Sequence, residues 1–223
     1  SHCVLPRPVF GKSLDRPFKF RKATDDQMRA RVGRNWPIVR EEVRRMPESW
    51  TPPFDPVDVR LELSKDGGAE LLSKCEIDPT VVAVTGVTGG SSYAIEHWEN
   101  WCDSGIRSYH MKRNNAALSD GVSRMSPWIH YGMISTTRMV RDASSIGGKG
   151  AEKFLDEMLV FREHAQHHVH AKENPDDWAN IPGWAIASWN DRGPGVPELS
   201  AIDLERGKSG DRLWDSAQTG LFR

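Results

Sequence analysis

From Ser91 onward apolar positions recur at helical spacing, whereas the first third of the chain keeps no steady period. Phe154, Met158, Phe161 and Ala165 follow one another at intervals of four, three and four, and Leu155 and Leu159 widen the stripe. This predicts a long helix from about Ala151 to just before Pro175. Ser91 or Ser92 is placed to cap a helix that carries Trp98 and Trp101. Ser126 with Pro127 opens another, and Ser135 caps a third reaching about Ile146. Two more, at 178–189 and 213–222, flank a loop with Gly193, Pro194, Gly195 and Pro197. Earlier in the chain, Pro6, Pro8 and Pro17 mark residues 1–23 as an extended basic arm. Thr24 and Gln27 match a capping box for a helix to about Met46, split near Gly33 and Pro37. Residues 47–58, with four prolines, read as a rigid connector, and 81–84 is the sole β-branched run suited to a strand. The fold class is therefore mainly α and multi-helical, behind a less regular start.

Composition narrows the classes. A chain of 223 residues can bury a core as one large domain or two small ones. Its mean hydropathy is −0.58 and no apolar run is long enough to cross a bilayer, which predicts a soluble protein with no membrane partner; a monomer is expected. The net charge of −1 argues for no polyanion at whole-chain scale, but residues 1–50 hold 12 basic against 6 acidic residues, so local basic surfaces are expected. Cys3, Cys75 and Cys102 are odd in number and show no CxxC spacing, so no disulfide framework or thiolate metal site is predicted. That usage fits an intracellular, reducing compartment, whether nucleus, organelle or cytoplasm. A start at Ser1 without a secretory pattern suggests a fragment. Nine of the chain's 19 aromatics are Trp, which points to packing or stacking roles.

Candidate chemistry falls at four places. Val81, Val82, Ala83 and Val84 run into Gly86, Gly89 and Gly90 before a helix, a partial likeness to a nucleotide-binding loop. No further strand alternation or Tyr-x-x-x-Lys pair comes after it, so an oxidoreductase is the weakest reading. Ser123, Arg124, Met125 and Ser126 precede a proline-opened helix, where hydroxyls, free amides and the helix dipole converge on an anion, simple capping by Ser126 being the plainer alternative. At about 100° per residue, Arg162 falls about 80° from Phe154, inside the apolar arc, and needs an anionic partner. A buried Asp215 or a bound phosphate would serve. His164 and His168 sit one turn apart, yet no third ligand is identifiable, so no metal is assigned.

The string Ser123-Arg124-Met125-Ser126-Pro127-Trp128-Ile129-His130-Tyr131-Gly132-Met133-Ile134-Ser135 resembles the flavin-phosphate segment of the DNA photolyase/cryptochrome family. In the family's order stand Gly89-Gly90, the helix with Trp98 and Trp101, and Tyr109-x-x-x-Arg113-Asn114. Glu157-Met158-Leu159-Val160-Phe161-Arg162-Glu163 is similar to another family helix, with class II-like spacing, and Leu213-Trp214-Asp215-Ser216-Ala217-Gln218 to a later segment. The likeness covers about residues 86–223 and implies domains of 1–85, irregular and linker-like, and 86–223, a partial helical FAD-binding domain.

The resemblance further implies a light-dependent, photolyase-like DNA-repair lyase that splits the carbon–carbon bonds of UV-induced pyrimidine dimers, with FAD as cofactor. The alternative is a non-catalytic, cryptochrome-like blue-light receptor. Tyr109, Ser123, Arg124, Met125, Ser126 and Arg162 would hold FAD. Glu157 would be the catalytic carboxylate at the dimer, and Glu157, Phe161, Arg162 and Glu163 would border the DNA. There are departures: Val122 stands where many members carry a hydroxyl, and the family's later H-N-x-x-R-M segment and N-terminal antenna domain find no counterpart. A chain with this much of the pocket is expected to bind FAD weakly or not at all.

Overall fold

The computed structural model describes residues 3–5, 14–34, 49–78, 80–81, 83–191 and 199–220. Among these residues the elements run α1 (Pro17–Val32), α2 (Val59–Asp66), α3 (Ala69–Ser73), α4 (Ser91–Ser104), α5 (Tyr109–Lys112) and α6 (Ser126–His130). Next come α7 (Thr136–Ile146), α8 (Gly148–Asp156), α9 (Glu163–His170), α10 (Gly183–Asn190), α11 (Ala201–Glu205) and α12 (Arg212–Gly220). Short 3-10 turns occupy Ile106–Ser108 and Trp178–Asn180, and a π turn, Glu157–Arg162, joins α8 to α9. The fold is mainly helical, with no strand among the described residues. Val81 and Val84, expected in a strand, are exposed, and Val82 lies outside the described residues. A β-branched run with no pairing partner gains nothing from being extended.

The chain divides into two compact units, residues 1–36 with 88–192 and residues 37–87 with 193–223. The first is built on α8. Gly150 lets α8 lie directly on the 3-10 turn, because a Cβ there would overlap the carbonyl oxygens of Ile106 and Arg107. Ala151 and Phe154 then reach the core formed with Trp98, Ile106, Met139 and Val140. The ring of Phe154 stands 5.3 Å from both Trp98 and Trp101, and Trp98 donates its indole N–H to Asp142 at 2.8 Å. Packing accounts for Trp98, Trp101 and Trp128, whereas Trp50, Trp178, Trp184, Trp189 and Trp214 are exposed.

Helix α1 departs from the sequence reading. It begins at Pro17, not at Thr24, so part of the expected arm is helical. Proline suits the first helical position because its missing N–H would have no partner there. Thr24 lies mid-helix, 1% exposed, and its hydroxyl donates to the Phe20 carbonyl at 2.8 Å instead of capping. The expected continuation toward Met46 falls on 35–48, outside the described residues. The far end of α1 is tied by Arg141, whose guanidinium donates to the carbonyls of Arg31, Val32 and Arg34. Helix α4 starts after Gly90, with Ser91 and Ser92 inside it, and Ser135 precedes α7 without a side-chain capping bond.

In the second unit, Asp58 caps α2 by accepting from the amides of Arg60 and Leu61, and Gly67 ends the helix at φ 68°. This stretch is more regular than its proline-rich surroundings suggested. Ser200 caps α11. Asp215 in α12 accepts from the Ser209 amide and hydroxyl at 2.8 and 2.7 Å and from the Gly210 amide at 3.2 Å. It is therefore no buried counter-ion but the tie of its own local turn, and these bonds hold its carboxyl below the usual range.

Candidate functional site

Packing of α8 against α5 brings together residues far apart in sequence. Tyr109 opens α5 immediately after the 3-10 turn; its ring meets Trp101 and Phe154 edge-on at 5.6 and 5.8 Å. Burial raises its phenol above the ordinary range, and the charge of Glu157 adds to this. One turn on, Arg113 places Nη1 3.0 Å from Oε1 of Glu157. Lys153, one turn before Glu157 on α8, puts Nζ 2.8 Å from the same oxygen and 3.0 Å from Asp156. The Glu157 carboxylate is thus pinned by two cations through one oxygen, about a quarter exposed. Lys153 also stands 5.3 Å over the ring of Phe161, which is itself 45% exposed.

The π turn changes what the remaining side chains do. An i to i+5 turn is wider than an α turn, so a projection at 100° per residue drifts across it. Arg162 comes out half-buried, while Val160 and Glu163 take the buried positions. Glu163 is 3% exposed and accepts from the Val4 amide at 2.7 Å, so it faces the protein. His164 sets Nε2 2.5 Å from the Leu14 carbonyl, and His167 is buried against Phe20. Among the described residues no three His, Cys, Asp or Glu side chains converge as metal ligands.

The serine segment belongs to the same unit, and the loop leading into it packs on the end of α5, where Lys112 donates to Asp120 at 2.7 Å and Gly121 lies against the Lys112 carbonyl. Ser123 is half-buried, Arg124 and Ser126 are exposed, and Met125 is anchored in the core at 1% exposure. Arg124 adopts φ 52°, the sole positive φ of a non-glycine residue among those described. Its Nε donates to the Ser119 carbonyl at 3.3 Å. Helix α6 has only five residues, so the dipole expected at its start is small, and what remains for an anion is hydroxyls, amides and one guanidinium. A cavity of about 1400 Å³ opens between α1, α7 and α8, lined by Met28, Val32, Arg141, Ser144 and Leu155 among others; Tyr109, Arg162 and residues 123–126 do not line it. The residues expected to hold the cofactor lie outside this cavity, on α5, in the π turn and in the loop that leads into α6.

Sequence reasoning assigned no role to Arg113, Lys153 or His97. The first stood inside a quoted motif, and the second lies at the i, i+4 spacing that favours pairing with Glu157. His97 carried no signal, because its contacts span 26 residues or more.

No family model matches the chain. Over 132 residues it is 29% identical to the deoxyribodipyrimidine photo-lyase of Methanothermobacter thermautotrophicus, covering 58% of this chain and 29% of that protein. It is 25% identical over 140 residues to the enzyme so named from Arabidopsis thaliana, and 25% over 150 residues to that of Potorous tridactylus. These matches take in 60% and 64% of this chain and 28% of each relative. The chain spans less than a third of the length of the curated relatives it matches.

Proposed function

We propose, from the premise that this chain is a relative of the photolyase/cryptochrome family, that it carries part of the FAD-binding helical domain of a light-dependent DNA-repair lyase acting on pyrimidine dimers. The observation that carries this reading is the Glu157 carboxylate, fixed by Arg113 and Lys153 beside Tyr109, in a string that resembles a family helix.

The donor set fits the diphosphate of FAD. Ser123 and Ser126 offer hydroxyls, Arg124 a guanidinium, and the loop before α6 its amides, which suit phosphate oxygens. Ser123, Arg124, Met125 and Ser126 would hold the phosphates, and Tyr109 and Arg162 would border the ribityl side. The chemistry supplied by the bound group is light-driven single-electron transfer.

The chain's own residues do the rest. Both cations contact Oε1 of Glu157, and the carboxylate's other oxygen would accept a hydrogen bond from an incoming base. Tyr109 stays protonated at neutral pH, so it donates and never repels a phosphate. Phe161, exposed beside them, offers a flat apolar face to a base taken out of the stack, and damaged bases leave the stack most cheaply. Titrating the chain with FAD while following flavin anisotropy, and comparing retention of a thymine-dimer oligonucleotide with its undamaged twin, tests the proposal. Weak but saturable FAD binding and a preference for damage that Glu157→Gln reduces are expected. Absence of both results ends the reading.

A further inference from the structure

The serine loop is braced from beneath by a residue with no assigned role. His97, half-buried on α4, places Nε2 2.9 Å from the carbonyl oxygen of Ser123. A carbonyl only accepts, so that nitrogen must carry the proton. The same imidazole lies against the indole of Trp128 on α6, with centroids 4.8 Å apart and planes 32° apart. Trp128 is fixed in turn, its indole N–H donating to the Thr88 carbonyl at 2.9 Å. His97 therefore touches the chain on both sides of Arg124: by hydrogen bond just before it and by ring contact just after it.

Between these anchors the backbone does something costly. Arg124 sits at φ 52°, a conformation that a residue with a Cβ rarely keeps unless its surroundings fix both flanks. Met125, buried at 1%, secures one flank. The bond to His97 secures the other. A further local tie, Met125 amide to Ser123 hydroxyl, is long at 3.5 Å and does not fix the peptide plane.

We propose that His97 is a positioning residue for phosphate binding: by donating to the Ser123 carbonyl it holds Arg124 in the left-handed conformation, turning that peptide and its flanking hydroxyls toward the diphosphate of a dinucleotide. The inference rests on the FAD reading above for its ligand but not for its brace. Its test uses the whole chain with His97→Ala, which removes donor and ring, and His97→Gln, which keeps a donor of similar reach. Two quantities are read: amide hydrogen exchange at Arg124 and Met125, and dissociation constants for FAD and for riboflavin, which lacks the diphosphate. His97→Ala should speed exchange at those two amides at least tenfold and weaken FAD about tenfold, leaving riboflavin unchanged, and His97→Gln should restore most of both.

Equal weakening of FAD and riboflavin, or unchanged exchange in His97→Ala, overturns the inference while the cofactor reading stands. A wild-type chain that binds no FAD overturns the cofactor reading and the ligand half of this one, and the exchange data still decide the brace. Should His97→Ala fail to fold, His97→Gln decides alone: exchange and FAD affinity near wild type support the hydrogen bond, and their loss rejects it in favour of the ring.

Discussion

Cys102 is half-buried, and burial with the nearby charges of Asp142, Asp103 and Glu99 pushes its thiol up to about 12, whereas Cys75 is exposed. Only the thiolate reacts, so iodoacetamide at pH 8 should label Cys102 more than about tenfold more slowly than Cys75, as peptide mass mapping would show. Equal labelling would mean that the α4 packing is wrong. The Glu157 cluster permits a second residue-scale expectation. Arg113→Ala removes one of two cations from a carboxylate about a quarter exposed, and should cost no more than about 1 kcal/mol in urea unfolding. A loss of several kcal/mol would make the pair structural instead of a positioned group. At this scale the sequence was informative where residues belong to strings: Glu157 and Tyr109 could be picked out, and the structure places them together. It was silent on their spatial partners, since neither Arg113 nor His97 shares a helix with the group it holds.

Among the elements, α8 depends on one glycine. Gly150→Ala would force the helix away from the carbonyls of Ile106 and Arg107, and overpacking against backbone costs about 1–3 kcal/mol. A drop in melting temperature with retained helicity would report it; an unchanged melt would show that α8 does not seat there. Asp58→Ala should cost about 1 kcal/mol within its own unit through loss of the α2 cap. Helices α4, α7, α8 and α9 were legible because amphipathic stripes dominate local preference, whereas the short α5 and α11 carry no such stripe and were not read. The start of α1 was not, since a proline can either end a helix or begin one and only the burial of Phe20, Thr24 and Met28 decides. The π turn also escaped, because a regular period of 3.6 fits the apolar residues around it equally well.

For the whole molecule, the pH limits arise from the shifted groups. Cys102 and Tyr109 both have raised values in the folded chain. The folded state therefore holds protons that the unfolded chain releases, and the stability this gives is present below about pH 9 and is lost as pH climbs toward 12. Asp15, Asp78, Asp120 and Asp215 are lowered by their hydrogen bonds, so their share is present above about pH 4 and lost as the folded groups protonate. Melting temperatures between pH 3 and 11 should trace a plateau falling at both ends; a steady rise to pH 11 would contradict the burial of Tyr109 and Cys102.

The two units alternate along the chain, so each is assembled from two separate stretches. One scissor cut therefore cannot yield both pieces intact. An expression fragment opening at residue 88, close to where the resemblance begins, would leave behind α1 and the buried Val4 and Leu5. The rear of the π turn would then stand naked, with Glu163 robbed of the amide it grips. Anyone trimming this chain to its recognisable part should expect aggregation, and should keep the opening 36 residues joined to the segment that begins at residue 88.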